Sequence, residues 1–114
     1  MTRVEMIYEG NLPIGFRMEG HAEYNTKGPD ILCASLSTAS QMTINGVLDW
    51  IGIDIDETIK ENKPKEAILH FEIPWYFTSV TSNQLFKSFE LYLEQLANQY
   101  NGYVILERRQ KDDM

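Results

Sequence analysis

Two side chains in this sequence are of types that do covalent chemistry together: Cys33, the only thiol, and His21, one of two imidazoles. They lie in Gly20-His21-Ala22 and Asp30-Ile31-Leu32-Cys33-Ala34, separated by a short polar stretch. A thiol is a weak nucleophile until it loses its proton, and a histidine within reach is a common base for that step. The first turn of a helix adds to the effect, because its unpaired N–H groups and a partial charge of roughly +0.5 favour an anion there. The same N–H groups suit an oxyanion. The chemistry implied is acyl transfer, with Cys33 attacking a carbonyl carbon and His21 moving the proton. Residue type alone leaves another reading open: lone cysteines are often buried as small hydrophobes, and a histidine at a strand end is often an ordinary hydrogen-bonding side chain.

The flanking sequence says how the pair would be positioned. Val4 to Tyr8 and Gly15 to Glu19 are short, partly alternating segments on either side of Glu9-Gly10-Asn11-Leu12-Pro13, which predicts a β-hairpin with Gly20 and His21 at its end. Glu23 to Pro29 reads as a loop, and Ala22 to Pro29 as a flap that closes on substrate. Asp30 is a preferred N-cap type, so a helix is expected from Ile31 toward Trp50, with Cys33 at N3 and a kink or early end at Asn45-Gly46. Cys33, Ser37, Ser40, Ile44 and Leu48 fall on one side of it, while Leu32, Leu36, Thr43, Val47 and Trp50 extend the contact surface. Ser37 is a small residue that permits close packing or orients the pair, and Asp30 is a cap or a second orienting group.

Beyond that helix, Ile53 to Lys65 is polar and acidic and reads as a connection with one short helical turn. Glu66 to Ile73 reads as a strand that Pro74 stops. Thr81-Ser82-Asn83-Gln84 fits a capping box with Thr81 as N-cap, and Val80 with Leu85 fits a hydrophobic staple. Leu85, Phe86, Phe89, Leu93, Leu96 and Tyr100 recur at helical spacing until Asn101-Gly102, and Tyr103 to Leu106 reads as a last strand before a charged, frayed tail. The order ββ-α-β-α-β predicts an α+β, two-layer fold: a small four-stranded sheet with two helices on one face. The other face needs a solvent-compatible surface or a partner, and a homodimer is the economical solution for a chain of this size.

Composition narrows the setting. The 114 residues fit a single domain over 1–114, and 43% hydrophobic with 24% charged residues is ordinary globular usage. No apolar run approaches the roughly 20 residues that span a bilayer, so no membrane partner is expected. A single cysteine cannot form an internal disulfide, in keeping with the cytoplasm. Seventeen acidic against ten basic residues, a net charge of −7, disfavours direct nucleic-acid binding and suits a basic partner. One cysteine and two histidines fall short of a closed zinc site, and Asp54-Ile55-Asp56-Glu57 lacks the glycine and spaced ligands of an EF-hand, so no cofactor is expected. His70, in mid-strand, reads as packed or solvated rather than functional. Pro74-Trp75-Tyr76-Phe77 reads as a core or dimer contact, or as a pocket for apolar side chains.

Gly20-His21-Ala22 followed by Asp30-Ile31-Leu32-Cys33-Ala34, with Ser37, Gln41 and Asn45-Gly46 beyond, resembles the ribosomal-processing cysteine protease (Prp) family over nearly the whole chain. The resemblance implies Cys33 as nucleophile and His21 as general base, with Gly20, Asp30 and Ser37 at supporting positions. It also implies a small cytoplasmic homodimer of bacteria. The substrate it implies is a basic ribosomal protein precursor, whose short N-terminal extension is removed after a pair of phenylalanines. That activity is hydrolysis by a thiol protease in ribosome biogenesis. Two alternatives use the same residues differently: a non-enzymatic dimeric ribosome-assembly or peptide-binding module, and a redox-responsive thiol, although no second cysteine is present to resolve a sulfenic acid.

Overall fold

A computed structural model describes residues 1–20 and 30–111; His21 and the expected flap lie outside the described residues. β1 (Thr2–Glu9) and β2 (Leu12–Glu19) pair antiparallel as the expected hairpin, turned at Gly10 and Asn11. The second strand begins earlier than its glycine and proline signals imply. Pro13 lies within it, opposite Tyr8, where the register shifts after Ile7; a bulge is one of the few places where a strand accepts proline.

The first helix, α1 (Asp30–Ile51), runs unbroken through Asn45-Gly46. The expected kink is absent because Gly46 serves packing instead: a Cβ there would stand 3.4 Å from Leu85 Cδ1 on the neighbouring helix. The far end of the expected contact surface also needs correcting, since Leu32, Leu36 and Val47 are buried whereas Trp50 is exposed. After α1 come the short α2 (Ile55–Thr58), β3 (Ile59–Lys63), β4 (Ile68–Glu72), α3 (Val80–Gln99) and β5 (Val104–Gln110). The five strands form one mixed sheet in the order β3-β4-β2-β1-β5, with β5 parallel to β1 and the other pairs antiparallel.

The α+β architecture is as expected, but the described residues form five strands and three helices rather than four and two. The additional strand, β3, carries the sequence Ile-Lys-Glu-Asn-Lys, with a single apolar residue, so period-two hydrophobicity does not reveal it. It is an edge strand held partly by charge: Glu61 accepts from Arg17 of β2 at 3.1 Å. The third helix starts at Val80, and its capping box joins Ser79 to Ser82, each side chain accepting from the other's backbone N–H at 3.0 and 2.9 Å, in place of Thr81 and Gln84. Val80 is exposed, so it forms no staple. The charged tail is strand up to Gln110: Arg108 pairs with Glu90 and Glu94 of α3, and Gln110 exchanges two 2.9 Å hydrogen bonds with Gly10. Charge reads as disorder only when its partners, distant in sequence, are invisible.

The two faces of the sheet differ. On one, Val4, Met6, Phe16 and Phe71 meet Leu32 and Leu36 of α1 and Phe86, Phe89 and Leu93 of α3 in one apolar cluster. Phe16 sits 4.7 Å from Phe89 and 5.8 Å from Phe71, ring centre to ring centre. Burying each such ring is worth roughly 2–3 kcal/mol. The opposite face is a mosaic of ion pairs, including Arg3–Glu107, Arg17–Glu61, Arg109–Glu5 and Lys111–Glu72. That mosaic is the solvent-compatible surface which the sequence requires of the second face.

Candidate active site

Gly20 ends β2 in a conformation that few other residues could hold. Its φ is +97°, and a Cβ would stand 2.3 Å from the carbonyl oxygen of Met1. Its N–H donates to the carbonyl of Ala67 at 3.0 Å, and its own carbonyl accepts from the Thr2 hydroxyl at 3.4 Å. The end of β2 is thus tied to the start of β1 and to the turn before β4. That turn is a single 3-10 turn, Pro64–Glu66, closed by Ala67 with φ +54° and by its N–H donating to the Pro64 carbonyl at 3.1 Å.

The first turn of α1 stands over this strand end. Asp30 lies within the helix rather than outside it as a cap, and Cys33 follows three residues later near the start of the described helix. Cys33 is a free, partly exposed thiol. It opens on a cleft of about 250 Å³ that Gly20 and Ser37 also line, with Met18, Leu36 and Leu69 as apolar walls and Asn62, Pro64 and Ala67 among the other lining residues. None of the described lining residues is charged. Three of the five expected site residues, Gly20, Cys33 and Ser37, therefore meet at one cleft. Ser37 is exposed one turn beyond Cys33, and its carbonyl accepts from the buried Ser40 hydroxyl at 3.0 Å. Asp30 is in the same first turn; His21 lies outside the described residues.

Sequence reasoning missed Thr2, Asn62 and Ala67 as cleft residues. Thr2 and Asn62 come to the cleft by strand pairing, which no local signal reports. Ala67 carries one usable sign, a position just after a proline-led turn, but its positive φ becomes evident only in the folded chain.

The second histidine does not share this site. Along β4, Leu69 lines the cleft while His70 points to the opposite face of the sheet, as strand alternation requires. There it is buried, with Nε2 3.1 Å from Glu72 and Nδ1 3.9 Å from Glu61. The hydrogen bond with His70 and the 2.7 Å ion pair with Lys111 outweigh burial and hold the Glu72 carboxyl down to about 2. Arg17, above all by its hydrogen bond, likewise lowers Glu61. Asp54 caps α2 by accepting from the Asp56 N–H at 3.0 Å, a local structural role for the acidic turn. Trp75–Phe77 forms an exposed 3-10 turn after the far end of β4 and is not part of the cleft lining. No described helix is long and apolar enough to cross a membrane.

Fold and cleft together define a small α+β protein with a mixed five-stranded sheet and an accessible thiol at the foot of its first helix. The same fold occurs in a Streptococcus mutans protein, SMU.848, with TM-score 0.80 and 18% identity over 97% of this chain and 96% of that one. It occurs also in the essential ribosomal processing protease Prp from S. aureus. The form in complex with a substrate peptide matches with TM-score 0.80 at 15% identity, and the form with a covalently linked product peptide with 0.74 at 19%, each over 96% of this chain and 100% of that one. No curated protein matches the chain. The family model for cysteine protease Prp matches residues 1–105, and the chain belongs to that family. It is a cysteine protease, which sets aside the non-enzymatic alternative.

Proposed function

We propose that this chain is a single-domain, cytoplasmic endopeptidase that removes the N-terminal extension of a large-subunit ribosomal protein. Cys33 is its nucleophile and His21 its general base. The observation that carries the reading is the position of Cys33: an accessible thiol in the first turn of α1, opening on an uncharged cleft with Gly20 and Ser37. The imidazole of His21 takes the thiol proton, and Sγ attacks the scissile carbonyl carbon. Helix-start N–H groups stabilise the resulting oxyanion. Collapse of the tetrahedral adduct breaks the C–N bond, and the imidazolium gives its proton to the departing amine. Water, deprotonated by the same imidazole, then adds to the thioester, releasing the new carboxylate and restoring the thiol. Gly20 fixes the strand end from which His21 continues, and Asp30 and Ser37 orient the first turn.

The substrate is a basic precursor, whose charge is opposite to the −7 of this chain. The apolar walls formed by Met18, Leu36 and Leu69 suit apolar side chains beside the scissile bond. The enzyme works as a homodimer. The test is a basic peptide containing two adjacent phenylalanines, incubated with the wild-type protein and with Cys33→Ala and His21→Ala, with products read by mass spectrometry. Cleavage after the second phenylalanine by the wild type alone is the expected result. Undiminished cleavage by Cys33→Ala would refute the assignment.

A further inference from the structure

Two adjacent rungs of residues cross the sheet from the edge strand β3 to β5. On the ion-paired face stand Glu61, His70, Arg17, Glu5 and Glu107, one from each strand. On the face toward the helices the neighbouring rung is Asn62, Leu69, Met18, Val4 and Leu106. Four of these five are apolar and pack in or against the core, whereas the fifth, at the sheet edge, is an exposed asparagine that lines the Cys33 cleft. Asparagine is a poor strand former, so strand pairing does not account for it. Hydrogen bonding within the protein does not account for it either. Of the polar side chains in the cleft lining, the Thr2 hydroxyl donates to the Gly20 carbonyl and the Ser40 hydroxyl to the Ser37 carbonyl. The Ser37 hydroxyl and the Asn62 amide bond to none of the described residues. The strand beneath Asn62 is nonetheless held in place, because Glu61 pairs through one oxygen with Arg17 at 3.1 Å and through the other with Lys63 at 3.6 Å.

We infer that Asn62 is a substrate-binding residue whose carboxamide holds the main chain of the peptide beside Cys33. The inference rests on the endopeptidase reading above and adds to it the group that grips the peptide from the sheet side of the cleft. Each residue of a peptide lying there brings one N–H and one C=O, which lose water against the apolar walls and cost free energy if left unpaired. A carboxamide carries an acceptor oxygen and two N–H donors on one planar group. Oδ1 therefore accepts from the N–H of an extended substrate residue while Nδ2 donates to the C=O of the same residue. Both bonds go to main chain, so Asn62 sets the register of the peptide and leaves the choice of side chains to Met18, Leu36 and Leu69. The Arg17–Glu61 pair on the reverse face keeps this group in position before the peptide arrives, which lowers the cost of binding.

The test combines two variants, Asn62→Leu and Asn62→Ala, with the two-phenylalanine peptide and with versions of it in which one amide N–H, away from the scissile bond, is replaced by an ester oxygen. Leucine fills the same space and continues the apolar rung, whereas alanine leaves the cleft open, so a loss common to both comes from hydrogen bonding rather than fit. Each variant should cleave the all-amide peptide with kcat/KM lowered by about tenfold, as the loss of two neutral hydrogen bonds implies. Asn62→Leu should unfold at a denaturant midpoint no lower than that of the wild type, which separates the effect from a structural one. One ester version should lose most of that factor with the wild type yet be cleaved by the variants within about twofold of the all-amide peptide, because the bond is already absent. Ester losses that are equal in wild type and variants would overturn the inference, as would variants that match the wild type on the all-amide peptide. In either case cleavage by the wild type, abolished by Cys33→Ala, would leave the endopeptidase reading standing. A wild type that cleaves no such peptide would overturn both.

Discussion

The cleft at Cys33 and the cluster around His70 are two places where this fold gathers residues capable of chemistry, and they lie on opposite faces of one sheet. Around His70 the groups answer one another: Glu61 and Glu72 flank the imidazole, Arg17 holds Glu61, and Lys111 holds Glu72. The result is a strongly acidic carboxyl, a buried imidazole and little capacity left for a substrate. At Cys33 there is open volume, a partly exposed thiol and no charged described neighbour in the lining. A displaced pKa can therefore mark a structural pair as readily as a reacting one, and accessibility is what separates the two regions.

The sharpest way to break the comparison is to remove one key residue from each side. Cys33→Ala should lower the peptide cleavage rate by about 10⁴-fold or more, as loss of a covalent nucleophile does. His70→Gln should leave kcat/KM within about threefold in the same assay while lowering stability. Comparable losses of activity in the two variants would erase the distinction. Gly20→Ala tests the support beneath the cleft. The positive φ and the 2.3 Å approach to the Met1 carbonyl predict a loss of about 3–4 kcal/mol in denaturant unfolding. An unchanged midpoint would mean that the strand end relaxes freely.

Glu72→Gln addresses the ion-paired face. The native carboxyl titrates near 2 and the unfolded one near 4.5, so the native pairing adds stability that is complete above about pH 4.5. This contribution is lost as pH falls through about 2. At pH 6 the variant should be less stable by about 2–3 kcal/mol, and the gap should close as the pH is lowered toward 2. A gap that stays constant with pH would remove the carboxylate from the explanation. The smallest effect is expected from Arg3→Ala, because Arg3 and Glu107 are both about half exposed. Unfolding measurements should register less than about 1 kcal/mol, diminishing with added salt.

Much of the fold was legible because apolar periodicity is local. The hairpin, both long helices and the apolar faces containing Leu36 and Phe89 follow from spacing and turn residues alone. What was misread has a common cause in charge and pairing. Strand β3 is nearly all polar, and the end of β5 is ordered by Glu5, Glu90 and Glu94, all distant in sequence. The capping box was displaced to Ser79 and Ser82 because Ser-x-x-Ser performs the same exchange of hydrogen bonds as the better-known pattern.

Taken by itself, the sequence determined that a single thiol would stand in the first turn of a helix beyond a glycine-ended strand, since helix and turn signals act over a few residues. It also carried the motif by which the family is recognised. Only the tertiary structure decided that Gly20, Cys33 and Ser37 share a cleft with Asn62 and Ala67, and that His70 faces the other way. Those relations depend on strand order and on which face each residue takes, and both are set by packing between segments far apart in the chain.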